Sequence, residues 1–197
     1  MTDNQVKFLL VFIPIVLALM FAFDNSGFLW VKRLKAEKAE PVIEIDIREK
    51  LTKIFIAEIG VREATGKNDG ERVEYYLASC GLGKGHPWCA ALVNSCHKDA
   101  GIQGANSCWS PDWFPKNKTI YTLGEKHNHT PMCADVLGIY YPEKNRIAHV
   151  GFIQEWGEGD YTITVEGNTN GDGSREGDGV YRKRRLKNQI YKVSRWI

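Results

Sequence analysis

The chain lacks several features that would assign a function by themselves. None of its five cysteines belongs to a C-x-x-C pair, which argues against a zinc ribbon. The histidines are not clustered at metal-ligand spacing, so we expect neither a metal ion nor another cofactor. The net charge is only +2 and no recognisable nucleic-acid-binding module accompanies it, which argues against a nucleic-acid partner.

One short basic run is present, Arg182-Lys183-Arg184-Arg185. We interpret it as the solvated edge of a strand, where charged side chains discourage pairing with another chain. Attraction to an anionic surface or polymer is the functional alternative for the same residues.

A long apolar run lies at the N-terminus, from Phe8 to Phe23, with Pro14 inside it. It is slightly shorter than the roughly 17–25 residues that span a bilayer as a helix, and the apolar segment 28–31 extends it. No clean small-residue cleavage site follows. We therefore interpret residues 1–31 as an uncleaved transmembrane anchor, with a cleaved signal segment and a buried core helix as the alternatives.

The rest of the chain shows helical patterns first and strand patterns second. Apolar residues recur with a helical period over 43–59, and shorter helices are predicted at 71–77 and 88–100. Strands are predicted at 136–141, 148–156, 161–166, 180–186 and 190–196, with hairpins joining 148–156 to 161–166 and joining the last two. We therefore predict a linker or juxtamembrane segment at 32–48. After it we predict an α+β domain over 49–197, with N-terminal helices packed on an antiparallel sheet.

Three separate segments carry residues suited to nucleophilic chemistry. Cys89 follows Pro87-Trp88 at a predicted helix N-terminus, where unpaired N–H groups favour the thiolate. His149 lies on a predicted strand and is able to accept the thiol proton. Glu166-Gly167-Asn168 ends the next strand and offers a polar group to orient the imidazole. The alternatives are a buried inert cysteine and a core histidine that is satisfied by its neighbours.

Strand alternation makes this convergence testable. If the hairpin pairs Trp156 with Tyr161, His149 lies opposite Asn168 and Gly151 lies opposite Glu166. Side chains alternate between the faces of a strand, so the imidazole, the carboxylate and the amide then share one face. Glycine at 151 leaves space there for a substrate or for Cys89.

The odd cysteine count has two interpretations. In an exported domain it fits two disulfides plus one free thiol, with Cys89 as the free one. In a reducing compartment all five are thiols, and the other four are buried apolar groups. The pairing among those four (Cys80, Cys96, Cys108 and Cys133) does not follow from the sequence.

Together, the three motifs resemble the CHAP domain, the cysteine, histidine-dependent amidohydrolase/peptidase group of the NlpC/P60-like, papain-related fold. The similarity covers residues 49–197. Its principal elements are Trp88-Cys89-Ala90-Ala91, His149-Val150-Gly151-Phe152 and Glu166-Gly167-Asn168. The segment 133–137 is similar to the strand before the histidine, although Ala134 replaces the usual glycine. Glu63 and the turn 68–70 are also similar to features found before the cysteine in bacterial and phage cell-wall hydrolases.

This resemblance implies hydrolysis of peptidoglycan amide bonds, as an N-acetylmuramoyl-L-alanine amidase or as a peptide endopeptidase. It implies that Cys89 is the nucleophile, His149 the base, Glu166 the group that orients the histidine, and Asn168 an assisting residue. The backbone N–H of Cys89 then supplies one oxyanion donor, and the second is not identified. Some members bind calcium through aspartates just before the cysteine, but segment 81–86 contains none, so no calcium is expected there.

A substrate groove is expected beside the nucleophile. The candidate residues are Trp88, Trp109, Trp113 and Gly151. Packing of the aromatic side chains beneath the loop 107–118 is the alternative interpretation of these tryptophans.

The expected location rests on this chemistry. Four cations follow the apolar run and Lys7 precedes it, so the positive-inside rule places the C-terminal side in the cytoplasm. Wall hydrolysis needs the opposite orientation. We therefore predict an inner-membrane anchor with the catalytic domain on the periplasmic, extracytoplasmic side, or a cleaved secreted form.

A second function from another class is an idle CHAP-like module. Such a module binds wall peptides or scaffolds an envelope-spanning secretion or conjugation complex. The presence of Cys89, His149 and Glu166 together argues against it. The partners expected for the enzyme are peptidoglycan and, through the N-terminal segment, the membrane; further envelope or phage machinery is not identified by the residues.

Overall fold

The structure, a computed structural model, describes residues 42–171 and 177–197. No helix within these ranges is long and apolar enough to cross a bilayer. The predicted membrane anchor at 1–31 lies outside the described residues, as does the first part of the predicted linker.

The helices lie where the apolar periodicity predicts them. They are α1 (Val42–Ala57), α2 (Glu71–Ala78) and α3 (Cys89–Ala100). Helix α1 begins ahead of the predicted domain start at residue 49, so the end of the predicted linker is helical. Helix α3 begins two residues after Pro87 and ends at Gly101, which adopts the left-handed conformation (φ 80°) that terminates many helices.

The described strands form one six-stranded antiparallel sheet in the order β1-β6-β2-β3-β4-β5. Their bounds are β1 Thr119–Thr122, β2 Val136–Tyr141, β3 Arg146–Glu155, β4 Tyr161–Thr169, β5 Gly179–Leu186 and β6 Lys192–Ser194. The predicted α+β class is confirmed, and β1 is a strand that the sequence analysis did not predict.

The predicted hairpin between the last two strands is wrong. Strand β5 pairs with β4, whereas β6 lies between β1 and β2. In that position Val193 and Ile190 are buried in one apolar cluster with Leu137 and Ile153. Burial of this apolar surface explains why β6 leaves β5 for the other side of the sheet.

The main core lies between the helices and the sheet. Phe55 of α1 stacks on Phe152 of β3 with ring centroids 4.5 Å apart. Trp88, just before α3, packs so closely on β4 that a Cβ at Gly167 would lie 2.6 Å from its ring. Glycine at this position therefore allows the N-terminus of α3 to approach β4.

The β3–β4 register agrees with the prediction on the side of the candidate site. Phe152 pairs with Val165 and Ile153 with Thr164, as expected. A bulge then makes Glu155 the partner of Ile163, so the pairing next to the turn is shifted by one residue from the predicted one. This one-residue shift lies closer to the turn than the predicted pairs His149–Asn168 and Gly151–Glu166. It therefore does not change which face of the sheet His149 occupies.

One disulfide joins Cys80 to Cys108, with their Cα atoms 5.9 Å apart. Neither interpretation of the cysteine count is correct, because one bridge forms while Cys96 is buried in the core as a free thiol and Cys133 is a separate free thiol. Cys89 is free, as predicted. The bridge ties the end of α2 to the loop that follows α3.

We expect the double variant Cys80→Ser/Cys108→Ser to lose about 3 kcal/mol of unfolding free energy, because the unfolded chain regains the entropy of a loop of this length. Urea denaturation of the oxidised proteins measures this loss. Adding a reductant should destabilise the wild type to the same extent and leave the double variant unchanged. Equal stability of all these forms would mean that the bridge does not constrain the unfolded chain.

Candidate active site

Cys89 is the first residue of α3 and is 5% exposed. Its Sγ lies 3.7 Å from the hydroxyl oxygen of Ser110. It also interacts with the ring of His149 and with the backbone N–H of Val150, both from β3. The thiol is therefore surrounded by hydrogen-bond donors at the N-terminal end of a helix.

These neighbours determine the ionisation of the thiol. Burial by itself raises the pKa of Cys89, because desolvation disfavours the thiolate. The polar interaction and charge of the His149 ring, followed by the contacts with Ser110 and with the backbone of Val150, outweigh burial and lower the pKa of Cys89 below its ordinary value. A lowered pKa favours the nucleophilic thiolate at neutral pH.

His149 is fully buried and contacts Glu166 through one ring nitrogen. Its Nε2 lies 2.8 Å from Oε2 of Glu166. The other nitrogen, Nδ1, has no hydrogen bond that meets ordinary geometric limits, which leaves it as the nitrogen that serves Cys89.

The surroundings of the ring favour its charged form. Burial lowers the pKa of His149, but the polar interactions and charges of Cys89 and Glu166 outweigh burial and raise the pKa to about 9. The lowered thiol pKa and the raised imidazole pKa both favour a thiolate–imidazolium pair over a neutral thiol and a neutral ring.

Glu166 is the buried anion behind this pair. Arg185 donates from Nε to its Oε1 and from Nη2 to its Oε2, and Thr164 donates to Oε1 at 2.6 Å. Burial alone raises the pKa of Glu166, but the bonds and charges of Arg185 and His149 hold it far below its ordinary range. Each carboxylate oxygen therefore has two donors, which satisfies a charge that is otherwise costly to bury.

Arg185 is the residue that the sequence analysis missed. The basic run was predicted to be solvated, and Arg182 and Arg184 are exposed. Arg185, however, is only 9% exposed. Pairing of Glu166 with Tyr181 and of Thr162 with Arg185 places the arginine on the same face as the carboxylate. Strand alternation extended from β4 to β5 predicts this shared face.

Asn168 makes no hydrogen bond to His149 in the described part of the chain, and its assisting role stays a prediction. Its side chain accepts a bond from the backbone N–H of Trp88 at 3.1 Å and donates to Asn68 at 3.0 Å and to the carbonyl of Gly177 at 3.1 Å. A bulge in β4 between Glu166 and Thr169 and a φ of 54° at Asn168 turn the amide away. Asn168 therefore positions the backbone immediately before Cys89.

Most of the predicted groove residues belong to the core instead. Trp88 and Trp113 are fully buried, and their indole N–H groups donate to Glu63 at 2.8 Å and to Ser107 at 3.1 Å. Gly151 is also buried, and a Cβ there would lie 2.6 Å from Cγ of Glu166. This glycine thus allows Glu166 to approach β3 rather than making room for a substrate.

Trp109 is the predicted groove residue that does line a cavity. It is 50% exposed. The cavity, of about 220 Å³, has the Cys89 thiol among its walls. Its lining residues are Leu82, His86, Pro87, Cys89, Cys108, Trp109, Ser110, Arg146 and Ala148.

Comparison of the chain with protein-family models, with curated proteins and with solved structures found no match. Chemical interpretation of the site therefore rests on its own geometry. Within the two described ranges, no group of three or more His, Cys, Asp or Glu side chains is placed to hold a metal ion.

The variant Arg185→Met should lose about 3 kcal/mol of unfolding free energy, because it leaves a buried carboxylate short of its main counter-charge. Chemical denaturation near neutral pH measures the loss. The matched control is Arg184→Met, whose exposed side chain lies next in the strand and should cost under about 1 kcal/mol. Similar losses from both variants would show that the bond between Arg185 and Glu166 adds nothing specific to the unfolding free energy.

Alkylation of Cys89 by iodoacetamide should follow a pH curve whose midpoint lies below the pKa of about 8.5 of a free cysteine. The variant His149→Ala should move the midpoint to higher pH, because it removes the main pKa-lowering neighbour and leaves burial unopposed. Peptide mass spectrometry identifies the alkylated thiol, and the buried Cys96 serves as an internal control. A midpoint that stays in place in His149→Ala would refute the ion pair.

Proposed function

We propose that this protein is a peptidoglycan hydrolase that cleaves wall amide bonds through a Cys-His-Glu mechanism, on a papain-like fold of the CHAP type. The observation that carries the proposal is the arrangement around His149. One ring nitrogen bonds Glu166 at 2.8 Å, and the ring also interacts with a thiol at a helix N-terminus. Nucleophile, base and orienting carboxylate in this order are the requirements of cysteine-dependent acyl transfer.

In the first half of the proposed reaction, the Cys89 thiolate attacks the carbonyl carbon of the scissile amide and forms a carbon–sulfur bond. Negative charge moves to the carbonyl oxygen. The backbone N–H of Cys89 and the Ser110 hydroxyl, 3.7 Å from the sulfur, are the donors that stabilise it. The imidazolium of His149 gives its Nδ1 proton to the departing amine as the carbon–nitrogen bond breaks.

In the second half, water attacks the thioester that remains on Cys89. His149, now neutral, takes a proton from this water through Nδ1. The carbon–sulfur bond breaks, the carboxylic acid product leaves and the thiolate–imidazolium pair is restored. Glu166 keeps Nε2 protonated and the ring oriented throughout, since its own contacts with Arg185 and Thr164 hold it in place.

The proposed substrate and location come from the resemblance and draw support from two features. Residues 88–91, 149–152 and 166–168 carry the CHAP-like motifs, and the first two contribute the interacting thiol and imidazole. The Cys80–Cys108 disulfide is typical of an oxidising compartment outside the cytoplasm. Both features favour a catalytic domain that faces the wall, anchored through residues 1–31 or released.

Purified peptidoglycan fragments should be digested by the full-length protein, and Cys89→Ala should lower the rate by about a thousandfold or more. His149→Ala should cause a similar loss. Cys133→Ser, which changes a free thiol outside the groove, should leave digestion unchanged. Mass analysis of the products shows whether the cut lies at the sugar–peptide amide or within the peptide. Digestion by Cys89→Ala at the wild-type rate would exclude the proposed nucleophile.

A further inference from the structure

Arg146 occupies one wall of the groove beside Cys89 and is held there by two contacts. The centre of its guanidinium lies 3.9 Å from the centroid of the Trp109 ring. Its Nη1 donates to the carbonyl of Ile147 at 3.1 Å. The side chain is half-buried, so a planar cation is fixed at the groove with donors left for another molecule.

The charge of this arginine is not balanced by its surroundings. No groove-lining residue is acidic, and Arg146 forms no salt bridge in the part of the chain that the structure describes. Deeper in the site, Glu166 is already bonded by Arg185 and by His149. Among the described residues that line the groove, Arg146 is therefore the one with a permanent positive charge.

The dimensions of the groove place this charge near the chemistry. A cavity of about 220 Å³ has both Arg146 and Cys89 among its walls, so an anion bound by the guanidinium would lie in the same cavity as Cys89. Arginine pairs with carboxylates through two parallel hydrogen bonds. The Trp109 ring behind it further fixes the plane of the guanidinium.

We propose that Arg146, supported by Trp109, binds a carboxylate of the substrate next to the bond that Cys89 attacks. The preferred substrate is then a peptide amide flanked by a free carboxylate, and a carboxamide at the same place is disfavoured. For its reaction this inference rests on the proposed function, whereas the anion site itself rests on the geometry of the groove.

Two alkylating agents test the anion site without any substrate. Iodoacetate and iodoacetamide both transfer their CH₂ carbon to the thiolate and release iodide, but only iodoacetate carries a carboxylate. In the wild-type protein the ratio of the iodoacetate rate to the iodoacetamide rate at Cys89 should exceed that of a free thiol. The variant Arg146→Gln should lower this ratio by about tenfold, and added salt should lower it in the wild type.

Two variants control this experiment. Arg146→Lys keeps the charge but lacks the planar guanidinium, so it should retain part of the increase in the iodoacetate-to-iodoacetamide ratio. Lys144→Gln removes an exposed charge nearby that does not line the groove and should leave the ratio unchanged. An unchanged iodoacetamide rate in Arg146→Gln shows that the thiolate is intact. A wild-type ratio equal to that of a free thiol, or a ratio unaffected by Arg146→Gln, overturns the proposal.

Matched peptides then separate this inference from the proposed function. With the full-length enzyme, kcat/KM should favour the carboxylate peptide over its carboxamide, and Arg146→Gln should reduce that preference by about tenfold. If neither peptide nor wall is cleaved but the alkylation ratio depends on Arg146, the anion site stands and the hydrolase proposal fails. If both peptides are cleaved equally well and Arg146→Gln does not change the alkylation ratio, the hydrolase proposal stands and the anion site fails.

Discussion

The bond between Glu166 and His149 is the interaction on which the rest of this site depends. A fully buried carboxylate is costly unless donors satisfy it, and here Arg185 and Thr164 do so from the neighbouring strand and from β4 itself. Once satisfied, the anion holds the imidazole in its charged form. The charged imidazole in turn favours the thiolate at Cys89. The ionisation of the thiol therefore depends on Glu166 and Arg185 as well as on His149.

The sheet makes this arrangement geometrically possible. Strands β3, β4 and β5 are neighbours, and each contributes one member of the line His149, Glu166 and Arg185. Buried glycines allow the close approaches, with Gly151 admitting Glu166 and Gly167 admitting the indole of Trp88. Asn168 completes the fit by bonding the backbone N–H of Trp88, which places the first turn of α3 beside the strands.

Much of this arrangement followed from local pattern, and the failures have physical causes. Period-two alternation predicted that His149 and Glu166 share a face, because the strands near the site keep the register that was assumed from the turn. The same alternation did not predict the position of Asn168, since a bulge in β4 turns its side chain away. Arg185 was missed because charge on an edge strand usually faces water, and here a buried carboxylate competes with water for it.

Other features depend on contacts that no local pattern contains. Tryptophan is a residue type often found at binding surfaces, which favoured a groove position for Trp88 and Trp113. Each indole N–H has a polar partner inside the fold, however, so both rings are buried. Strand β6 lies between β1 and β2 instead of beside its expected partner, and there its Val193 is buried with Leu137 and Ile153. The cysteine pairing depends on which sulfurs the fold brings together, and only Cys80 and Cys108 are joined.

The protonation of His149 tests the central claim most directly. Two-dimensional NMR of the ¹⁵N-labelled ring, followed through a pH titration, reports each nitrogen separately. The account predicts an imidazolium at neutral pH that titrates at about 9, and a lower pKa in Cys89→Ser because the neighbouring thiolate is gone. A ring that is neutral at neutral pH in the wild type, with the same pKa in Cys89→Ser, would contradict the ion pair.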